Sequence, residues 1–473
     1  MGAQFLSLML ASGGDRRISV PRGGNTNIYG ASPFPRSTLG YAASTANDIS
    51  LPAFRHLEST VAAWTPGALD ASAYERALEG LRGRLRRCYA LTDDVDVVFA
   101  PSGTDLEFVA LSLARQRAGQ PVTNVLLGQE EVGSGCALSA SGRLFAAETA
   151  LAQGLAKGNA VNGLADTVVV NVPVRALDGT PQASGQVMEP IRREIEAALS
   201  EGRHALVHIV HGSKTGLVLP HLADIDGVRD RFGEGVSLVV DACQARIEPV
   251  ELGAYLDRGA IVLLTGSKFV GGPPFSGFAL VPHALQPRGQ LAEGLATLFR
   301  RAEWPLSWAG CDHLPKSANP GLLLRLEAAL FELERFSRLA RGRRELVIGV
   351  FQEEVGGLAD RLGVHLVGPA GTSALHEATL ATLDLSDLAG HPDIEVAQRW
   401  HRVLAARGLR LGQPVRYRRR ADGRWAGTLR VSLSMPLIVE LSALDRAALE
   451  ARFNRDMAQI ADVLEAAQRP IVA

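Results

Sequence analysis

Cysteine is scarce in this chain: Cys88, Cys136, Cys243 and Cys311 are the only four among 473 residues. No C-x-x-C pair or Cys/His cluster at zinc spacing is present, which excludes a disulfide framework and a structural zinc site; free thiols in a reducing compartment are the simplest reading. Excess charge of one sign is also lacking. Forty-nine basic residues face fifty acidic ones for a net charge of -1, so no global field draws in nucleic acid or an anionic membrane. No apolar run is long enough to span a bilayer. The opening MGAQFLSLML has no basic residue ahead of its apolar stretch, and Leu6 stands where myristoylation requires Ser or Thr, so a cytoplasmic location is expected. No G-x-G-x-x-G follows the first predicted strand and no Walker A motif occurs, which removes the common nucleotide-binding readings.

What is present is an ordinary globular composition, 47% hydrophobic and 21% charged, in a chain too long for one hydrophobic core. From Val95 onward, aliphatic and β-branched runs recur: VDVVFA, NVLLG, TVVVNVPV, ALVHIVH, VSLVVDA, AIVLLTG and GFALVP. They read as strands buried on both faces. Helical patterns such as DLEFVALSLARQRAG and VMEPIRREIEAALSEG lie between them, the rhythm of a mostly parallel α/β sheet of about seven strands. A long helical pattern from Gly321 links this region to a small α+β domain. The expected division is an extended arm over 1–56, a large domain over 57–320 and a small domain over 321–473.

Three constellations carry chemistry. Ser102, Gly103 and Thr104 follow a buried strand and open a helix, where free backbone N–H groups and the helix dipole favour an anion. The same S-G-T-D run is also a good helix cap. Asp241 ends the all-apolar strand SLVVD, where a carboxylate needs a cation or donors; a loop cap is the ordinary alternative. Lys268 follows the strand AIVLLT inside a loop dense in Gly and Pro, where a desolvated amine is suited to forming an imine with an aldehyde. Singly, a surface lysine is the plainer reading. In this order, however, phosphate turn, strand-end Asp and strand-end Lys are how one sheet edge assembles around a pyridoxal ring.

Over these residues the chain resembles fold-type I enzymes dependent on pyridoxal 5'-phosphate (PLP), and among them the class V aminotransferase group that includes cysteine desulfurases and kynureninases. The resemblance implies the aspartate-aminotransferase-like fold with PLP held by Lys268 as a Schiff base. It further implies that Asp241 pairs with the ring nitrogen, Gln244 of D-A-C-Q contacts the phenolic oxygen, Thr265 and Ser267 of TGSK serve the phosphate, and Ser213 lies near the phenolic oxygen. Arg430 in TLRVSLS would hold the substrate α-carboxylate through a planar fork. Ser317 and Asn319 sit where relatives reach the neighbouring subunit's phosphate, so a homodimer is expected. Lys214 and His211 read as loop and strand residues.

The chain departs from the family in two places. Glu130 and Glu131 occupy the loop where a Glu-His pair stacking on the ring is expected; Glu131 is the nearest candidate to face the cofactor, as an acid or base or as part of a solvated pair. All four cysteines precede position 320, which argues against a persulfide-forming desulfurase. The implied function is chemistry on an α-amino acid through an external aldimine and a carbanion or quinonoid intermediate, with a lyase favoured from the D-A-C-Q resemblance and an aminotransferase as the alternative. A catalytically idle binding or regulatory module is the non-enzyme reading; the lysine and the lack of a DNA-binding appendage argue against it. The arginines from Arg416 to Arg420 read as a solvated hairpin face.

Overall fold

Aliphatic runs without polar alternation form strands covered on both faces. A computed structural model, which describes residues 3–62, 64, 69–152, 154–367 and 377–468, gathers seven of them into an eight-stranded sheet. Its order is Val95–Ala100, Gly277–Pro282, Ala260–Thr265, Val236–Asp241, His204–His211, Val122–Leu127 and Val168–Val172, with the short Val218–Leu219 paired to His204–His211. Gly277–Pro282 runs antiparallel to both its neighbours. The strands ending at Leu127, His211, Asp241 and Thr265 run parallel, so their C-terminal ends open on one edge, where open α/β sheets bind ligands.

One polar residue inside these strands is held by two side chains. Asp96 lies in a wholly buried strand, and its Oδ2 accepts from Trp308 Nε1 and Gln286 Nε2, each at 2.8 Å. The helix Leu106–Ala118 is buried along Leu106 to Ala114, which is why its sequence is apolar all round rather than amphipathic.

The helical pattern from Gly321 divides into Pro320–Ser337 and Arg341–Leu362. The second helix packs on the terminal Arg446–Gln468. Beyond it, His365–Val367, Leu380–Asp384 and Thr428–Ser432 form a three-stranded antiparallel sheet, backed by helix Ile394–Ala406. Near the predicted hairpin, Arg418 is held by Asp384 at 2.7 Å and Arg419 lies over the Trp425 ring, so this arginine face is partly engaged rather than simply solvated.

The first 56 residues are not an extended arm throughout. Ala3–Leu10 is a helix whose Leu6 and Leu10 pack with Phe54 and Leu57 of the helix Leu51–Ala62 and with Leu324; that apolar contact outweighs the local excess of glycine and proline. Leu39–Tyr41 pairs in parallel with Leu409–Leu411, and the Tyr41 hydroxyl donates to Asp456 at 2.7 Å. The N-terminal segment is thereby fastened to the C-terminal third. No described helix is long and apolar enough to cross a membrane.

Candidate active site

A cavity of about 320 Å³ opens at the sheet's C-terminal edge. Strand ends deliver Ser102, Glu131, Ser213, Asp241 and Lys268 to it, and the small sheet adds Arg430. Thus every residue expected at the site except Ser317 and Asn319 lines it.

Lys268 lies in the loop between two strands of the large sheet, and Asn47 fixes that loop by donating to its carbonyl at 2.9 Å. Among the described residues nothing engages its ammonium. Asp241 accepts at Oδ1 from the backbone N–H of Cys243 at 3.0 Å, and Oδ2 takes no hydrogen bond among the described residues. Behind it lies a buried group that the sequence did not single out. Ligating atoms of Glu107, Cys136 and Asp241 all fall within 4.8 Å of one another, and His208 Nε2 stands 3.5 Å from Glu107 Oε2. Burial, with the charge of Asp241 adding to it, pushes Glu107 well above the usual carboxylate range. Burial also pushes His208 down to about 4. Burial thus favours the neutral form of both, and His208 supplies no counter-charge to Asp241 near pH 7. The signal for them was a Glu and a His within otherwise apolar runs.

The turn after Ala100 combines a cap with an open anion site. Ser102 Oγ donates to Asp105 at 2.5 Å, so that hydroxyl serves the helix start. The backbone N–H groups of Gly103 and Thr104 and the Thr104 hydroxyl make no hydrogen bond among the described residues. Glycine is needed here: a Cβ at Gly103 would meet Thr265 Cγ2 at 2.7 Å. The Thr265 hydroxyl is spent on the Cys243 carbonyl at 2.7 Å, whereas Ser267 is buried at the cavity wall with its hydroxyl unengaged among the described residues.

Gln244 Oε1 accepts from Arg246 at 2.9 Å, which turns its amide N–H₂ away from that contact and leaves it as the donor. Ser213 differs. Its hydroxyl donates to Glu131 Oε2 at 2.7 Å and accepts from the Leu217 N–H at 3.0 Å.

Glu131 is neither a solvated nor a free carboxylate. It is 2% exposed and takes Arg175 Nε at 2.7 Å, Ser213 Oγ at 2.7 Å, Thr215 N at 3.1 Å and Thr215 Oγ1 at 2.8 Å. With its lone pairs so occupied it is a brace between loops, not a proton carrier. Glu130 contributes a backbone carbonyl, which accepts from Lys214 Nζ at 2.9 Å. The aromatic rings at the cavity are instead Tyr29 and Phe275.

Asn319 is 1% exposed and both ends of its amide are engaged within its own chain. Oδ1 caps the helix from Pro320 by accepting from Leu322 N, and Nδ2 donates to the Gly13 carbonyl. It does not reach this cavity. Ser317 is exposed and its hydroxyl accepts from Arg300 Nε at 3.1 Å.

Arg430 is 6% exposed, yet its bonds go only to carbonyls, those of Gln413 at 2.9 Å and Lys214 at 3.2 Å. Burial lowers it to about 10. Two further cations line the cavity that the sequence had not ranked: Arg17, held by Asp15 at 2.7 Å between the rings of Phe145 and Phe275, and Lys214.

No protein-family model and no curated protein sequence matches the chain. Solved structures do. A NifS-like protein aligns over 91% of this chain and 100% of its own at 15% identity and a TM-score of 0.56. The cysteine desulfurase CsdA of Escherichia coli aligns over 91% and 94% at 16% identity with the same TM-score. Ureidoglycine-glyoxylate aminotransferase of Bacillus subtilis aligns over 91% and 99% at 14% identity and a TM-score of 0.54. At these identities the likeness is one of fold, and the chain has the fold of the PLP-dependent transferases of fold type I.

Proposed function

We propose that the chain is a PLP-dependent enzyme acting on an α-amino acid, with lyase or related carbon-bond chemistry. The observation that carries this reading is the convergence of four groups on one cavity: an unengaged Lys268, an Asp241 with one free oxygen, the open N–H groups of Gly103 and Thr104, and the carboxylate-free Arg430. The buried surroundings fit the cofactor, because burial disfavours the charged forms of Glu107 and His208 and a protonated ring nitrogen is the cation that Asp241 lacks on that side.

PLP, when bound, supplies a ring that withdraws electrons from the amino acid's α-carbon. The protein's own groups do the rest. Lys268 provides the attaching amine and a base able to hold a proton at the reacting carbon. Asp241 keeps the ring nitrogen protonated. The turn Ser102 to Thr104 and the Ser267 hydroxyl would hold the phosphate, and the Gln244 amide would serve as donor to the phenolic oxygen. Arg430 fixes the α-carboxylate, and that orientation decides which bond at the α-carbon breaks.

Cysteine chemistry of the desulfurase kind is disfavoured. Cys136 and Cys243 line the cavity, but burial raises both thiols well above their usual range; Cys88 and Cys311 rise to about 11 and 12 for the same reason. None is a thiolate at neutral pH.

Incubating the holoenzyme with an amino-acid panel, with and without a 2-oxo acid acceptor, tests the reaction type. Turnover without an acceptor that releases the side chain or ammonia supports the lyase. Acceptor-dependent formation of a new amino acid would replace it with the aminotransferase.

A further inference from the structure

Six charged side chains line the cavity: Arg17, Glu131, Lys214, Asp241, Lys268 and Arg430. Two of them are neutralised by partners in the wall. Arg17 is paired with Asp15 at 2.7 Å, and Glu131 with Arg175 at 2.7 Å, the side chains of that pair being 0% and 3% exposed. On the functional reading above, Lys268 and Asp241 are committed to the cofactor. Arg430 and Lys214 remain.

These two are neighbours, since Arg430 Nη1 donates to the Lys214 carbonyl at 3.2 Å. Neither has a carboxylate partner among the described residues. Arg430 bonds to the carbonyls of Gln413 and Lys214, and Lys214 Nζ to that of Glu130 at 2.9 Å. Carbonyl dipoles orient an ammonium or guanidinium without cancelling its charge, and desolvated cations lacking counter-ions are costly. A fold keeps such a pair where a ligand brings the opposite charge. One carboxylate answers Arg430. A second cation beside it answers a second anion.

We propose that the substrate is an amino acid carrying a second acidic group, with Arg430 taking the α-carboxylate and Lys214 the side-chain acid. The inference rests on the PLP reading and narrows it to a substrate class. Burial, then the charges of Arg430 and Lys268, lower Lys214 to about 8 against the pull of Cys136 and Glu131. Lys214 is thus mostly protonated near pH 7, and its grip on an acid weakens as pH rises through about 8.

The test measures dissociation constants of the PLP-loaded enzyme, from ligand-induced changes in its visible spectrum, for aspartate against asparagine, glutamate against glutamine, and cysteine sulfinate against serine. Wild type should favour at least one acid over its neutral counterpart by on the order of tenfold, the worth of one charge-assisted contact. That ratio should decline above about pH 8, collapse in Lys214→Met and persist in Lys214→Arg. Equal binding of every acid and its neutral counterpart by wild type would overturn the proposal, the α-carboxylate then taking both cations. An acid preference that survives unchanged in Lys214→Met would overturn it too. The wild-type pH profile needs no variant to fold. Absence of any lysine-dependent cofactor band in the same samples would instead refute the PLP reading beneath it, so the two failures are distinguishable.

Discussion

At the scale of single residues, the site is a division between groups already satisfied by the protein and groups left for a ligand. Glu131 belongs to the first kind. Removing one member of its buried pair strands the other, so Glu131→Gln or Arg175→Met should lower stability by about 3–5 kcal/mol, measured by equilibrium denaturation. A change under about 1 kcal/mol, the range of exposed ion pairs, would show that the pair is not the brace its bonding describes. Thr265 and Ser267 divide in the same way. Ser267→Ala should weaken PLP binding by on the order of tenfold through loss of a charge-assisted contact, whereas Thr265→Val should act mainly on stability, by about 1 kcal/mol for its bond to the Cys243 carbonyl. Equilibrium dialysis with PLP separates them, and equal PLP affinity in wild type and Ser267→Ala would remove that residue from the phosphate site.

Among the secondary-structure elements, the helix Pro320–Ser337 depends on Asn319, which caps it and holds the Gly13 carbonyl. Asn319→Ala should cost about 1–2 kcal/mol in stability while PLP affinity is retained; a selective loss of PLP affinity in the variant would return Asn319 to the phosphate site. Seven of the eight strands of the large sheet were legible because each is a mainly aliphatic run, a pattern suited to burial on both faces; the edge strand Val168–Val172 is nevertheless largely uncovered. Lys268, Asp241 and the 102–104 turn were legible for a related reason: each is a polar residue at the end of such a run. The helix Ala3–Leu10 was not, because its stability comes from Phe54, Leu57 and Leu324, far along the chain. The roles of Glu131 and Lys214 were hidden likewise. Adjacent charged residues look alike in sequence whether they are solvated or braced by Arg175, which is 44 positions away.

Taken as a whole, the molecule places a large mostly parallel sheet beside a small antiparallel one, and the cavity takes residues from both and from the N-terminal segment. Fold-type I resemblance implies a homodimer, and with Asn319 buried the exposed Lys316 and Ser317 are the residues of that loop at the surface. Light scattering should therefore report twice the 50.3 kDa chain mass; a monomer at micromolar concentration would contradict that expectation.

The most direct test of the central claim is the absorption spectrum of the purified protein after addition of PLP, for wild type and Lys268→Ala, with dialysis to remove unattached cofactor. The account predicts a visible band that survives dialysis in wild type, shifts with particular amino acids and is missing from Lys268→Ala. A wild type that retains no band, or a variant that retains the same one, would contradict the assignment of Lys268 and with it the proposed function.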